Sequence, residues 1–226
     1  MADTTDVPLS ELGPFSRLAH LAMRGAQFLS PMALVGRIVP VLKAQDRITA
    51  EEAQDETFII RRARAIEWYI LACVAAETTI VAMLLRRVTI PDPVRAVVYL
   101  LMALRIIEIM MKAFSVTIFD RYSRRADDSL ISAPRMVFLA FVSFAELAAC
   151  FGTVYALDLQ MLQGGDEVMT AYYFSVITQL TIGFGDVVPT GYLRLIVALH
   201  GIVAVAFFTL VFARLMTALP SLGRKG

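Results

Sequence analysis

Four long apolar stretches constrain this chain more than any other feature of its sequence. A helix that crosses a hydrocarbon layer of roughly 30 Å needs about 20 residues, and each stretch is long enough to do so. The stretches are Ile66–Leu85, Val94–Phe119, Arg135–Leu157 and Tyr192–Leu219. The whole chain is 58% hydrophobic and 18% charged, which is more apolar than an ordinary soluble domain. The sequence therefore predicts an all-α membrane protein with four transmembrane helices.

The basic residues predict how these helices are oriented. They are more frequent before the first stretch, between the second and third, and after the fourth. The basic residues of these three regions include Arg61, Arg62, Arg64, Arg121, Arg124, Arg125, Arg135, Arg214, Arg224 and Lys225. The loops at the opposite ends of the apolar stretches, with their edges, hold Arg86, Arg87, Arg95 and Arg194. Because cytoplasmic loops carry the excess of Lys and Arg, both termini are predicted to be cytoplasmic. The default location is the bacterial cytoplasmic membrane.

The apolar stretches divide the chain into five segments. They are residues 1–64 (cytosolic or interfacial), 65–119 (a transmembrane hairpin), 120–134 (a cytosolic linker), 135–219 (the second pair of stretches) and 220–226 (a cytosolic tail). In the first segment, Leu29–Leu42 is apolar but too short to span, which indicates a segment that is either interfacial or packed in the cytosol. Helix formers run without a breaker from about Ala50 to Leu85, so one continuous helix is expected there.

The interval between the third and fourth stretches carries the strongest functional signal. Val168–Leu180 is apolar and aromatic, but it is long enough only for a helix partway across the membrane. The glycine-rich run Thr181–Asp186 follows it directly. Irregular backbone at membrane depth is tolerated where it lines water or is buried in protein. Glycine at Gly183 and Gly185 permits the alternating backbone that turns carbonyls to one side, where they replace the hydration shell of a cation.

The run Thr181-Ile182-Gly183-Phe184-Gly185-Asp186 resembles the selectivity filter of potassium channels. The resemblance extends over residues 135–219 and implies an outer helix, a re-entrant pore helix, the filter and an inner helix. It also implies that four copies surround one pore, as a homotetramer. Ile and Phe stand where valine and tyrosine are more usual, which leaves the backbone chemistry intact.

The resemblance assigns a role to each residue of the filter. The carbonyls of Thr181, Ile182, Gly183 and Phe184 would hold potassium ions, with the Thr181 hydroxyl at the innermost site. Gly185 completes the ion-binding filter, and Asp186 would lie at its outer mouth. The expected partners are potassium ions and membrane lipids. No cofactor and no nucleic acid are expected.

The sequence departs from the family pattern at two places. Ile177 stands where some bacterial channels carry a glutamate that pairs with the filter aspartate, so that buttress is expected to be absent. The usual hinge glycine of the inner helix aligns with Ala204, and Gly201 lies nearby. By the same alignment Gly201, Val205, Phe208 and Phe212 would face the cavity. Phe208 and Phe212 would then form an apolar gate, or alternatively would pack against protein or lipid.

Several ionisable residues fall inside the predicted spans, where such groups are costly and face protein or water. Depth counting places Glu77 level with Arg105, and Glu146 level with His200, so two buried pairs are expected. Because a histidine can titrate near neutral pH, His200 is also a candidate for pH-sensitive gating. The second span lacks the arginine repeat of a voltage sensor, so strong voltage dependence is not expected.

Two other functions compete with a passive potassium channel. A weakly selective cation channel has the same fold, although the intact Gly183-Phe184-Gly185 argues against it. A non-conducting subunit that assembles with another channel is the second alternative. No enzyme is expected, because the sequence has no nucleophile–base pattern and its two histidines, His20 and His200, are far apart. The gating input is expected from residues 1–64, the first hairpin, lipid, pH or a partner.

Overall fold

A computed structural model describes residues 56–86, 90–118 and 133–218 of the chain. The predicted interfacial run Leu29–Leu42, the expected helix start near Ala50, most of the linker and the tail lie outside the described residues. The chain divides after Glu108 into two compact units.

The first unit contains an antiparallel pair of helices. Helix α1 is Glu56–Leu85, and helix α2 is Asp92–Ile118 and continues past the end of the unit. Asp92 lies in the first turn of α2, where a carboxylate interacts favourably with the helix dipole. The Tyr69 hydroxyl donates a hydrogen bond of 2.8 Å to Glu108. Both residues lie sixteen positions from the helix ends nearest the connecting loop, so α1 and α2 run antiparallel.

Three of the described helical stretches are long and apolar enough to cross a membrane. They are Arg64–Leu85, Val137–Leu157 and Leu193–Met216, which coincide with the first, third and fourth predicted spans. The second predicted span corresponds to α2, which has sufficient length at 27 residues. Its sequence carries Arg95, Arg105, Glu108 and Lys112, and these charges lower its hydropathy. A transmembrane position for α2 therefore stays a prediction.

Besides residues 109–118 of α2, the second unit is built on three helices of unequal length. Its elements are helix α3 (Ala133–Leu157), a 3₁₀ turn (Leu159–Met161), strand β1 (Leu162–Gln163), helix α4 (Val168–Gln179), strand β2 (Val188–Pro189) and helix α5 (Leu193–Ala218). The short helix α4 packs along α3, and both contact α5. The most buried side chains come from all three helices, among them Leu147, Cys150, Tyr155, Ala171, His200 and Ala204.

A glycine sets the close approach of α4 to α3. A Cβ atom on Gly152 would overlap the Tyr172 ring and lie 2.8 Å from its Cε1 atom. Real Cβ atoms do not approach carbon that closely, so a larger residue at this position would displace the ring. Gly152 therefore allows the aromatic side chain to lie close against the backbone of α3.

A two-stranded antiparallel sheet joins the segments on either side of α4. Strands β1 and β2 pair antiparallel, with Leu162 opposite Pro189 and Gln163 opposite Val188. The backbone N–H and the hydroxyl of Thr190 both donate to the Met161 carbonyl, each at 2.8 Å. The segment that precedes α4 is thus tied to the segment that leads into α5.

Candidate ion-conduction site

The run Thr181–Asp186, called the glycine segment below, lies between α4 and strand β2. Its backbone alternates in handedness along five residues. The φ angles of Thr181, Gly183 and Gly185 are +57°, +53° and +79°, whereas Ile182 and Phe184 have negative φ. The sequence predicts this alternation at the two glycines. It does not predict the positive φ of Thr181, because a β-branched residue rarely adopts that conformation.

The first amides of the glycine segment are hydrogen-bonded back to the end of α4. The N–H of Thr181 donates to the Thr178 carbonyl at 3.0 Å, and the N–H of Ile182 donates to the Ile177 carbonyl at 2.8 Å. The N–H of Gly183 also points at the Ile177 carbonyl, at 3.4 Å. Since the last carbonyls of a helix have no partner within the helix, these bonds satisfy them. The last turn of α4 therefore positions the start of the glycine segment.

Backbone conformation, not crowding, calls for glycine in this segment. A Cβ atom built on Gly183 or Gly185 would have no neighbour within 4 Å in the chain. Their positive φ angles, by contrast, are disfavoured for residues with side chains. A substitution at either position would strain the backbone even though space is available for it.

Three polar side chains of α4 bind α3 along one face. Tyr172, Ser175 and Gln179 follow a spacing of three and four residues, which places them on the same side of a helix. The Tyr172 hydroxyl lies 2.9 Å from the hydroxyl of Thr153. The Ser175 hydroxyl donates to the Ala148 carbonyl at 2.7 Å, and the Gln179 amide donates to the Phe144 carbonyl at 2.7 Å. The polar spacing within an apolar helix is the sequence signal for this contact.

His200 of α5 lies between α3 and α4. Its Nε2 atom is 3.0 Å from Oε1 of Gln179, and its Nδ1 atom is 3.0 Å from the Tyr155 hydroxyl. The imidazole ring also stacks on Phe151 with centroids 3.9 Å apart. The predicted contact of His200 with Glu146 stays a prediction. Glu146 is buried, and both ring nitrogens of His200 are engaged by Gln179 and Tyr155.

Asp186 is bound by a residue of α4 that sequence reasoning missed. The Tyr173 hydroxyl donates to Oδ2 of Asp186 at 2.8 Å. This bond raises the pKa of Tyr173, which lies outside the three candidate spans, because ionisation would place a second negative charge beside the carboxylate. Ile177 makes no polar side-chain contact, but Tyr173 lies one helical turn before it on the same face of α4.

The Asp186 end of the glycine segment packs against the turn that precedes α4. Gly164 has φ +113°, and a Cβ atom there would overlap the Asp186 carbonyl oxygen and lie 3.1 Å from Cα of Val187. Only glycine fits both this conformation and this close approach. The Gly164 turn and the β1–β2 pairing therefore hold the backbone on both sides of Asp186.

The face of α5 with the candidate gate residues is exposed in the single chain. Val205, Phe208 and Phe212 are 55%, 46% and 62% exposed. The Phe208 ring also contacts Phe144 of α3, with centroids 4.9 Å apart, so Phe208 contributes to packing. A Cβ atom on Gly201 would meet nothing within 4 Å. The cavity-facing and gating roles of these residues stay predictions.

Charged side chains are buried in the first unit. Arg105 and Glu108 form an ion pair of 2.8 Å, one turn apart on α2. Tyr69 of α1 donates to the same carboxylate oxygen of Glu108, and the Arg105 guanidinium lies 5.6 Å from the centre of the Tyr69 ring. Glu77 is buried as well. Its predicted pairing with Arg105 stays a prediction.

Residues 137–220 match a family model described as an ion channel. The match contains most of α3 and all of α4, the glycine segment and α5, and it leaves the first unit outside. Together with the apolar helices, it supports an integral membrane protein that conducts ions passively through a channel. No curated protein and no solved structure matches the chain.

Proposed function

We propose that four copies of this chain form a potassium-selective channel, with the glycine segment as its selectivity filter. The alternating handedness of Thr181–Gly185 carries this proposal. Alternation at successive residues turns carbonyl groups toward a common side, as a filter requires. The ion channel match over the same residues supports a conducting role for them.

Helix α4 acts as the pore helix in this proposal. Its 12 residues extend about 18 Å at 1.5 Å per residue, which is roughly half of a hydrocarbon layer. The carboxyl end of α4 leads directly into Thr181, so the negative end of the helix dipole favours a cation near the innermost site. Four such helices around one axis would add their fields at the same point.

The path of a potassium ion follows from these positions. The ion loses its water shell between the carbonyls of Thr181, Ile182, Gly183 and Phe184, with Gly185 completing the filter and Asp186 at the outer mouth. Val205, Phe208 and Phe212 line the cavity on the cytosolic side. Helix α2 is the second of the four spans, and both termini lie in the cytoplasm of a bacterial cell. The electrochemical gradient drives the flow, and the protein responds weakly or not at all to voltage.

Flux through purified protein in liposomes tests the proposal. The reversal potential with opposed potassium and sodium gradients is expected to follow potassium. Gly183→Ala and Gly185→Ala are expected to abolish selective flux, since both place a side chain on strained backbone. Gly191→Ala is the matched control. Gly191 also has positive φ, +54°, but lies beyond Asp186, so its variant is expected to keep potassium selectivity.

Two results would overturn the assignment of potassium selectivity. Equal permeation of sodium and potassium by the native chain would indicate a weakly selective cation channel. Flux that stays absent across a range of pH, lipid composition and voltage would indicate a non-conducting subunit of a larger channel. In either case Gly183→Ala would leave the measured behaviour unchanged.

A further inference from the structure

A continuous chain of hydrogen bonds connects three helices at the inner end of the glycine segment. It runs from Tyr155 of α3 through His200 of α5 to Gln179 of α4, and from there to the Phe144 carbonyl of α3. The side chains of Tyr155, His200 and Gln179 are all buried. Buried polar groups are costly unless each has a partner, and here each has one.

The direction of every hydrogen bond in this chain can be assigned. The Phe144 carbonyl only accepts, so the Gln179 nitrogen faces it and the Gln179 oxygen faces His200. That oxygen also only accepts, so Nε2 of His200 carries a proton and donates it. In the neutral ring Nδ1 is then the acceptor, and the Tyr155 hydroxyl donates to it. No donor faces a donor, and the arrangement specifies one tautomer of His200.

The chain of hydrogen bonds passes through the residue that closes α4. Gln179 is the last residue of the helix and lies two positions before Thr181. The neighbouring carbonyls of Ile177 and Thr178 accept the amides of Ile182 and Thr181. A movement of Gln179 therefore shifts the two carbonyls that hold the start of the glycine segment.

We propose that Gln179 and His200 are positioning residues that fix the inner end of the filter, with Tyr155 orienting the histidine. This inference rests on the proposed channel function. Neither side chain touches the ion in this proposal. They act through the last turn of α4, whose carbonyls set where Thr181 and Ile182 stand.

A second side-chain hydrogen bond between α3 and α4 supplies a matched control. The Tyr172 hydroxyl binds Thr153 at 2.9 Å, and Tyr172 lies two turns before Gln179 on the same face of α4. Tyr172→Phe removes a hydrogen bond between α3 and α4 but leaves the chain through His200 intact. A role limited to helix packing predicts the same effect for this variant as for variants of the chain.

Four variants of the full chain distinguish the contributions of the individual hydrogen bonds. His200→Phe keeps a ring that can stack on Phe151 but removes both bonds, and Gln179→Leu removes the amide at similar volume. A glutamine at position 200 places a donor near the position of Nε2, whereas an asparagine reaches only the position of Nδ1. His200→Gln is therefore expected to restore the native behaviour, and His200→Asn is expected to resemble His200→Phe.

The first measurement is the ratio of potassium to sodium permeability in liposomes, with tetramer formation checked for each variant. His200→Phe, His200→Asn and Gln179→Leu are expected to lower the ratio about tenfold, while Tyr172→Phe and His200→Gln stay near the native value. An unchanged ratio in conducting tetramers of His200→Phe and Gln179→Leu would overturn the inference.

The second measurement does not depend on conduction. Hydrogen exchange of the amides of residues 181–183 is expected to be faster in His200→Phe and Gln179→Leu, and unchanged in Tyr172→Phe. Unchanged exchange in all three would overturn the positioning role. If exchange is faster in His200→Phe and Gln179→Leu but the native protein does not select potassium, only the proposed function is contradicted, because the positioning of the segment is then shown independently.

Discussion

The Tyr173 hydroxyl donates to the Asp186 carboxylate at 2.8 Å and so connects α4 to the last residue of the glycine segment. Asp186 directly follows Gly185, the last positive-φ residue of the segment. A glutamate at position 177 is absent from this chain, and the tyrosine one turn earlier supplies the contact between α4 and the aspartate. The donor is a phenol, so the bond requires no shared proton between two carboxyl groups.

Tyr173→Phe is expected to make the proposed selectivity filter less durable. Without the hydroxyl, the Asp186 carboxylate loses its donor from α4, and the outer end of the segment is held by the Gly164 turn and the β1–β2 pairing. Potassium flux is expected to decline several-fold faster during sustained conduction, with tetramer formation unchanged. Tyr172→Phe, the same chemical change at the neighbouring residue, is the control. An identical decline in both variants would contradict the role of the Tyr173 bond.

The same bond predicts a dependence on alkaline pH. The hydrogen bond to Asp186 raises the pKa of Tyr173 above its ordinary value of about 10. A tyrosine whose pKa is raised in the folded state stabilises that state at pH values below the ordinary pKa of tyrosine. This stabilisation is lost as the pH rises through the pKa of the folded state. The rate of flux decline is therefore expected to differ between native protein and Tyr173→Phe by a constant amount between about pH 6 and pH 9. The two rates are expected to converge as the pH rises above about 10. Flux decline measured across this range checks the convergence, and a difference that grows with pH would contradict it.

The length of the apolar stretches and glycine chemistry predict the framework of the second unit. Span length places α3 and α5 within two residues of the observed helices, because about 20 apolar residues leave little freedom in where a helix begins and ends. The short helix is predicted at Val168–Leu180 and observed at Val168–Gln179. Positive φ at Gly183 and Gly185 follows from the permissive backbone of glycine.

The side-chain contacts of the site could not be predicted in the same way. Depth counting places Glu146 level with His200, but rotation about the helix axis decides which side chains meet, and a single sequence does not fix that rotation. The structure turns His200 toward Gln179 and Tyr155. Thr181 is a similar case, since its positive φ is imposed by the bonds to α4 and by the glycines that follow, against the preference of a threonine.

Gly152→Ala is expected to destabilise the second unit. The new methyl group would overlap the Tyr172 ring, which must then leave its position against α3 together with its bond to Thr153. Overpacking of this kind costs about 1 to 3 kcal/mol. Thermal unfolding in detergent measures the loss. Gly201→Ala is the control for stability, since a Cβ atom at Gly201 meets nothing within 4 Å. Equal melting temperatures of Gly152→Ala and the native protein would contradict the close contact.

A double-mutant cycle resolves the charges of the first unit. Arg105 and Glu108 form an ion pair of 2.8 Å, and both are buried. Removing one partner of a buried pair costs about 3 to 5 kcal/mol, whereas replacing both with apolar residues costs far less. Glu108→Leu is therefore expected to lower the unfolding free energy more than the double variant with Arg105→Leu.

The corresponding cycle for Glu77→Leu and Arg105→Leu tests the predicted pairing across α1 and α2. A coupling free energy above about 0.5 kcal/mol would support that pair. Strict additivity would show that Arg105 is stabilised by Glu108 without Glu77.

The two candidate gate phenylalanines are expected to respond differently to truncation. Phe208 contacts the Phe144 ring with centroids 4.9 Å apart, so Phe208→Ala removes an aromatic contact worth about 0.5 to 1.5 kcal/mol as well as buried area.

Phe212 is 62% exposed in the single chain, so Phe212→Ala is expected to leave the melting temperature within a few degrees of the native value. If Phe212 forms an apolar constriction in the tetramer, its loss lets water into the cavity and raises the open probability in single-channel recordings. An unchanged open probability in Phe212→Ala would assign this ring to contact with lipid or a neighbouring helix. Lower stability without altered gating in Phe208→Ala would assign Phe208 to packing.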